Sequence, residues 1–164
     1  MQDDALHRQT ALLIAHREIE QKIYQMGYAL EDGDFDRVGR LLRHATFGAD
    51  RLGRRFIQGE QAIRDQYRKT NITYPGHGRA TREMYTNVLI EIDLDAGTAR
   101  STTAYTVAQQ TPGGAARFEL LVAGRYEDEW ARIEGEWHWT DRYIVVQFRN
   151  DLDAHMSPGS QPYN

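Results

Sequence analysis

Two sets of side chains alternate along residues 124–132, with Tyr126, Asp128 and Trp130 on one parity and Arg125, Glu127 and Glu129 on the other. This alternation is typical of a β-strand that has one buried and one solvated face. A short reversal containing Gly135 follows, and residues 137–148 resume an aromatic, β-prone pattern. The pattern predicts an antiparallel hairpin whose aromatic face needs a large partner to bury it.

A different periodicity marks the start of the chain, where apolar residues recur every three or four positions between residues 4 and 30. This spacing predicts an amphipathic helix with one apolar face. Residues 31–34 (EDGD) break that helix and begin a second, short one. Two strand-like pieces at residues 45–48 and 54–58 precede a third helix, which begins after Gly59. The apolar face of the first helix consists of Leu12, Ala15, Ile19, Ile23, Met26 and Leu30.

The second half of the chain consists of strand-like runs separated by turn-forming residues, after a loop at residues 71–78 that is rich in glycine. Helices followed by long strands predict an α+β fold, in which a curved antiparallel sheet wraps around three N-terminal helices. We predict a single domain over residues 1–156 and a tail at residues 157–164, and we expect the chain after Asn150 to lie outside the sheet. The predicted strands are residues 82–93, 98–110, 118–132 and 137–148.

Composition narrows the class of protein. The 164 residues carry a net charge of −4 and include no cysteine, which suits one domain without disulfides or thiolate chemistry. The acidic balance argues against nucleic-acid binding, because no basic excess is available to meet phosphates. The sequence shows no apolar run of membrane-spanning length and no signal-peptide pattern. We expect a cytoplasmic protein that binds neither nucleic acid nor membrane. We also expect neither a metal nor a cofactor, because no motif for either is present.

Five short motifs together carry a resemblance to a known family. The chain resembles the SnoaL-like branch of the nuclear transport factor 2-like superfamily from about Leu12 to His155. Each motif is weak alone, but their order along the chain matches the order of elements in that family. The motifs are Ile19…Leu30-Glu31-Asp32-Gly33-Asp34-Phe35, Thr86-Asn87-Val88, Gly124-Arg125-Tyr126-Glu127-Asp128, Trp137…Arg142 and Asn150-Asp151-Leu152…His155.

The resemblance implies a cone-shaped α+β barrel, in which the sheet and three helices enclose a pocket for a small-molecule ligand. Members of the family include polyketide cyclases, scytalone-type and bile-acid dehydratases and a dehydrochlorinase, so the fold leaves the reaction open. Family members associate through the outer face of the sheet. Tryptophan and tyrosine on both parities of these strands would suit such an interface. We therefore expect a homodimer or a homotrimer.

The resemblance also implies an acid–base pair. In catalytic members an acidic residue at the end of the first helix pairs with a histidine that precedes the Thr-Asn of the next long strand. In this sequence Glu31 occupies the acidic position and Glu83 occupies the histidine position. If the two carboxyl groups lie close together, the pKa of one is raised and the pair could still supply an acid and a base. The substitution could equally mean that the family's chemistry has been lost.

Two orientations of Glu83 are open. Strict alternation puts Met84 and Val88 on the buried parity and sends Glu83 outward together with Glu91. A bulge or a strong bend in this long strand would turn Glu83 into the pocket instead. For Glu31, a solvated acid at the helix end is the alternative to a catalytic one.

Other side chains are candidates to contact a substrate. Arg142 matches the arginine of the family's W-x4-R motif, which implies a contact with an anionic group. An ion pair with Asp128 or Asp141 is the alternative.

His77 in the loop could supply an imidazole, although a histidine in such a loop is more often exposed. The remaining candidates, which offer hydroxyl, aromatic or imidazole groups, are Tyr24, Tyr28, Tyr85, Thr103, Tyr105, Tyr126, Trp130 and His138.

The functional hypothesis is a cofactor-independent lyase or isomerase, of the dehydratase or cyclase type, that acts on a small, apolar, oxygenated molecule. Glu31 would act as base or acid, Glu83 and Arg142 are the other catalytic candidates, and Tyr28 and Tyr105 would orient substrate oxygens. The alternative is a non-catalytic small-molecule binding or scaffold domain. A third hypothesis is a structural subunit of an oxygenase.

Overall fold

Three helices and a six-stranded sheet make up the computed structural model, which describes residues 2–49, 57–113, 118–158 and 160. Residues 54–56 of one predicted strand lie outside the described residues, as do Gly114 of a predicted turn and residues 159 and 161–164 of the predicted tail. The elements in chain order are α1 (Gln2–Asp32), α2 (Phe35–Leu41), β1 (Thr46–Ala49), β2 (Ile57–Gln58), α3 (Glu60–Thr70), β3 (Thr81–Asp93), β4 (Thr98–Gln110), β5 (Phe118–Ile133) and β6 (Glu136–Arg149).

The strands form one curved, unclosed sheet in the order β2-β1-β6-β5-β4-β3. Strands β3 to β6 pair antiparallel, which confirms the predicted α+β class. The short β1 differs, because it pairs parallel with β6. Glu134 and Gly135 join β5 to β6 with φ angles of 53° and 90°. Two positive φ values in a two-residue turn match the twist of a hairpin.

The apolar face of α1 packs against the aromatic residues of the β5–β6 hairpin. All three tryptophans, Trp130, Trp137 and Trp139, are buried in the same core as this face. Burying one large apolar side chain contributes about 1.5–3 kcal/mol, so this shared core helps to hold the helix on the sheet. The predicted partner of the aromatic hairpin is therefore α1. Its buried residues are Ala15, Ile19, Ile23, Met26, Ala29 and Leu30.

A bulge in β3 decides the orientation of Glu83. Thr86 pairs with Ala104 but Leu89 pairs with Thr102, so β3 contains one extra residue, and Asn87 in that step has φ 50°. The bulge reverses the facing of the strand, because an extra residue exchanges the two parities. The side chain of Glu83 is 1% exposed. The prediction from strict alternation, that Glu83 points outward, was therefore wrong.

One further expectation from parity was wrong, and a second register shift decides where Arg142 lies. Met84 and Thr86 are exposed rather than buried, because they precede the bulge. In β6 the register shifts between the Trp130–Trp139 pair and the Glu129–Asp141 pair. Arg142 is consequently buried beside Trp139, with its guanidinium carbon 5.4 Å from the centre of that ring.

The outer face of the sheet carries apolar side chains, but not the tryptophans expected from the sequence. The tryptophans face inward, whereas Phe118, Leu120 and Phe148 are exposed. Met84, Thr106, Ala123 and Phe148 form one row across four strands. We call Met84, Phe118, Leu120 and Phe148 the outer patch. Within the described residues, no helix has the length and apolarity that a membrane span requires.

Candidate active site

A cavity of about 150 Å³ lies between the sheet and α3. The chain after Asn150, which the sequence analysis expected to lie outside the sheet, also contributes to its wall. Leu152, His155, Met156 and Ser160 all line the cavity. Most of the wall is apolar and comes from the core side of the sheet and the end of α1, including Leu30, Phe47, Val107, Val122, Ile144 and Val146.

Three buried polar side chains form a chain along this wall. Arg79 Nη1 donates to Glu83 Oε1 at 2.8 Å, and Arg79 Nη2 donates to His155 Nε2 at 2.7 Å. Arg79 and His155 are each 5% exposed. We call these three residues the polar triad. A charged group withdrawn from water is stable only when it is paired, and Arg79 and Glu83 satisfy that condition for each other.

The loop before β3 aims Arg79 at Glu83. The Arg79 backbone N–H donates to the Glu31 carbonyl oxygen at 2.9 Å, which fastens the loop to the end of α1. Gly78 makes this approach possible, because a Cβ atom there would lie 2.2 Å from the same carbonyl oxygen. Its φ of 56° also favours glycine. Gln109 Nε2 donates to the Arg79 carbonyl oxygen and fixes the far side of the loop.

Backbone hydrogen bonds hold His155 over the cavity. Its carbonyl oxygen accepts from the Ile72 N–H at 3.1 Å. The carbonyl oxygen of the preceding Ala154 accepts from the Tyr74 hydroxyl at 2.6 Å and from Gln109 Nε2 at 3.2 Å. The segment that carries the imidazole is therefore attached both to the loop before β3 and to β4.

Burial and charge shift the pKa values of the triad in opposite directions. Burial raises the pKa of Glu83, and the Arg79 guanidinium opposes part of that rise. Burial, reinforced by the Arg79 charge, lowers the pKa of His155 to about 2. His155 is therefore neutral at ordinary pH. Its Nε2 accepts from arginine, which is always a donor, so the ring hydrogen lies on Nδ1.

Each member of the triad has one polar atom left over. Glu83 Oε2, Arg79 Nε and His155 Nδ1 are buried and have no hydrogen-bond partner within the described part of the chain. One is an acceptor and two are donors. Two residues that line the cavity therefore carry such groups, a carboxylate oxygen of Glu83 that can take a proton and an imidazole N–H of His155 that can donate a hydrogen bond.

Glu31 accepts two hydrogen bonds from residues of β3. Its Oε1 accepts from the Glu83 backbone N–H at 2.8 Å and its Oε2 accepts from Arg82 Nη1 at 2.7 Å. It does not line the cavity of the polar triad but a second, larger one of about 280 Å³ between α1 and β3. Tyr24, Tyr28 and Tyr85 surround the same cavity. Glu31 thus holds the backbone of Glu83 in place.

The remaining candidates divide between the cavity and the core. Tyr105 and Tyr126 line the cavity of the polar triad and stack on each other with 4.4 Å between ring centres. Arg142 lies behind Tyr126, with its guanidinium carbon 4.0 Å from the ring centre, and pairs with Asp128 at 3.4 Å. Both members of that ion pair are buried. The arginine of the W-x4-R motif is therefore shielded from the cavity.

Three other predicted site residues lie outside both cavities. Thr103 is buried in the core. Trp130 Nε1 donates to Ser101 Oγ at 2.9 Å. His138 Nε2 lies 3.3 Å from Arg43 Nη2, beside the ring of His44.

Sequence reasoning missed Arg79 and His155 as site residues. His77, the histidine it considered, is exposed. The signal for Arg79 was the strained glycine-rich loop that precedes it. The signal for His155 was its position in the last motif of the family resemblance. It was not used, because the segment after Asn150 was expected to lie outside the sheet and so to make no contact with the cavity.

Comparison with known proteins identifies the family. The SnoaL-like domain family matches residues 11–143. The chain belongs to this family. No curated protein matches the chain at a significant level.

Solved structures agree with the SnoaL-like assignment at the level of the fold. An NTF2-like protein with a cystatin-like fold from Novosphingobium aromaticivorans gives a TM-score of 0.69 at 16% identity, over 86% of this chain and 87% of that chain. A protein assigned as a scytalone dehydratase from the same organism gives 0.66 at 15% identity, over 92% and 97%. Aln2 from a Streptomyces species gives 0.59 at 21% identity, over 84% and 91%. Identities this low establish the shared fold only.

Within this SnoaL-like chain, the residue at the position where the resemblance implies a histidine is Glu83. The imidazole that reaches the same cavity comes from His155, 72 residues further along (155 − 83). Arg79 links the two residues, because it donates a hydrogen bond to each of them. A carboxyl group and an imidazole therefore serve one cavity, with a guanidinium between them.

Proposed function

We propose that this SnoaL-like protein is a cofactor-independent lyase or isomerase that acts on a small, apolar, oxygenated molecule, with Glu83 as the general base. The observation that carries this proposal is the free Oε2 atom of a carboxyl group whose side chain is 1% exposed on the wall of an apolar cavity. A neighbouring structure assigned as a scytalone dehydratase is consistent with lyase chemistry on this fold.

The chemistry follows from the environment of Glu83. Burial raises its pKa, and a carboxylate with a raised pKa is a stronger base toward a carbon acid. Glu83 would take a proton from a carbon next to a carbonyl group, leaving the electron pair in the enolate. Returning the proton to another carbon completes an isomerisation, whereas returning it to a departing hydroxyl group completes a dehydration.

Deuterium exchange into a small ketone tests the base directly. Cyclohexanone in D₂O should exchange its α-hydrogens faster in the presence of the protein, as measured by proton NMR. Glu83→Gln keeps a side-chain oxygen that can accept from Arg79 and should lower the catalysed rate about 100-fold, the usual contribution of a general base. Glu91→Gln, which changes an exposed glutamate on the same strand, is the matched control and should retain the wild-type rate.

The result that contradicts the proposal is an exchange rate that is the same for wild type and Glu83→Gln, with circular dichroism showing both folded. Binding of the ketone without exchange would favour the non-catalytic binding domain.

We further propose that the protein works in the cytoplasm as a homodimer or homotrimer, with the outer patch as its interface.

A further inference from the structure

We infer that the cavity takes a neutral, one-ring molecule with a carbonyl oxygen, and that the Nδ1–H of His155 donates a hydrogen bond to that oxygen. This deepens the proposed function and rests on it for the use of Glu83 as the base. It adds a substrate class and a second substrate-contacting residue, His155.

The volume of the cavity suits a ligand of about one ring. A volume of about 150 Å³ equals that of an engineered protein cavity known to accept benzene, at roughly 150 Å³. Pockets for drug-sized ligands are larger, at about 300–1,000 Å³. A fused-ring steroid or polyketide would exceed this volume.

The charges around the cavity favour a neutral ligand. Arg79 and Glu83 neutralise each other, and His155 carries no charge because its pKa is lowered to about 2. Burial raises the pKa of Tyr67 to about 12 and that of Tyr126 well above its usual value, so both hydroxyls stay protonated. A carboxylate or an ammonium group would therefore find no free counter-charge among the described residues that line the cavity, which is costly in an apolar site.

The hydrogen-bonding atoms specify a carbonyl group. His155 Nδ1 is a buried donor with no partner among the described residues, and an aldehyde or ketone oxygen is an acceptor without a hydrogen of its own. Because its Nε2 is occupied by Arg79, the ring cannot rotate its donor away without breaking that bond. A neutral imidazole N–H that is fixed in this way can stabilise negative charge developing on an enolate oxygen.

The electron balance of the step is complete with these two groups. Glu83 forms an O–H bond as the α C–H bond breaks, and the freed electron pair becomes the C=C bond of the enolate while the carbonyl π pair moves onto oxygen. His155 keeps its Nδ1 hydrogen throughout and contributes only a hydrogen bond. No oxidant, reductant or metal is required.

A series of small probes tests the ligand class. Cyclohexanone, methylcyclohexane, benzoate and 1-tetralone should be titrated against wild-type protein by ligand-observed NMR. Cyclohexanone should bind about tenfold more tightly than methylcyclohexane, which lacks an acceptor. Benzoate, which is charged, and 1-tetralone, which has two rings, should bind more weakly than cyclohexanone. Tighter binding of benzoate or of 1-tetralone would overturn the inference.

Nitrogen NMR of ¹⁵N-histidine-labelled protein tests the donor. The His155 signals should show hydrogen on Nδ1 in the free protein, and cyclohexanone should shift that Nδ1 signal. His155→Gln should lose about tenfold in affinity for cyclohexanone with little change for methylcyclohexane, and His77→Gln, at an exposed histidine, should bind both as wild type does. Two results on the wild-type protein would overturn the inference: a ring hydrogen on Nε2 of His155, or His155 signals that do not shift when cyclohexanone is added. Both can be measured even if the variant fails to fold.

The two proposals fail separately. If cyclohexanone binds with a shifted Nδ1 signal but its α-hydrogens do not exchange, Glu83 is not a base and the ligand class stands. If exchange and affinity are both unchanged in His155→Gln, the base stands and His155 is not the donor.

Discussion

Because the His155 imidazole stays neutral in the folded protein, it lowers the free energy of unfolding at acidic pH. Its pKa of about 2 in the folded protein lies below the ordinary value of 6.5. Between these two pH values the unfolded chain binds a proton that the folded chain does not. The free energy of unfolding therefore falls by about 1.4 kcal/mol for each pH unit below 6.5 on account of this residue.

Urea unfolding between pH 7 and pH 5 should expose this dependence. The stability difference between wild type and His155→Gln should change by about 1.4 kcal/mol per pH unit in favour of the variant as the pH falls. The control His77→Gln alters an exposed histidine and should run parallel to wild type. Parallel curves for wild type and His155→Gln would show that His155 is not held neutral.

Glu31 and Glu83 make distinguishable contributions, although the sequence places both in one pair. The Glu31 carboxylate accepts a hydrogen bond from the Glu83 backbone, and the oxygen of a glutamine can do the same. We expect Glu31→Gln to lower the cyclohexanone exchange rate by less than about tenfold, against about 100-fold for Glu83→Gln. If Glu31→Gln lowered the exchange rate more than Glu83→Gln does, Glu31 would be the general base.

The β3 bulge determines which of the β3 side chains face the cavity. Asn87 is exposed and has φ 50°, a region that costs a β-branched residue about 1–2 kcal/mol. Asn87→Val should therefore lower the free energy of unfolding by about that amount, whereas Asn87→Gly should change it by less than about 1 kcal/mol. Thermal and urea unfolding measure both. Equal stability of the valine and glycine variants would mean that the bulge has moved.

Element types and most boundaries could be predicted from the sequence, because periodicity reports which face of a helix or strand is buried. The first helix, for example, is predicted at residues 4–30 and is Gln2–Asp32 in the structure. A bulge adds one residue without changing composition, so the parity of Glu83 and of Arg142 could not be obtained from alternation.

The polar triad was harder to predict than the elements. Arg79 lies in a loop whose course depends on the contact of Gly78 with the end of α1, and His155 lies beyond the last strand. Their meeting depends on tertiary packing between segments 76 residues apart (155 − 79), which a local pattern does not encode.

At the scale of the whole molecule, the outer patch is an exposed apolar surface that suits self-association. Phe148 is 72% exposed and Leu120 is 52% exposed on neighbouring strands. Exposed apolar groups of this kind favour contact with a second copy. Sedimentation velocity at micromolar concentration should show a dimer or trimer, and Phe148→Glu should shift it toward monomer.

The control for this prediction is Leu13→Glu, which changes an equally exposed leucine on α1. It should leave the sedimentation coefficient unchanged. A wild-type protein that remains monomeric at high concentration would remove the outer patch as an interface.

The segment that carries His155 links ligand occupancy to local opening. Its attachment includes the bond from the Ile72 N–H to the His155 carbonyl and that from the Ser157 N–H to the Thr70 carbonyl. A ligand held by the imidazole must favour the docked segment by the same factor by which docking favours the ligand. Amide hydrogen exchange at Ile72 and Ser157 should therefore slow as cyclohexanone is added, so that two backbone amides report on the filling of the cavity.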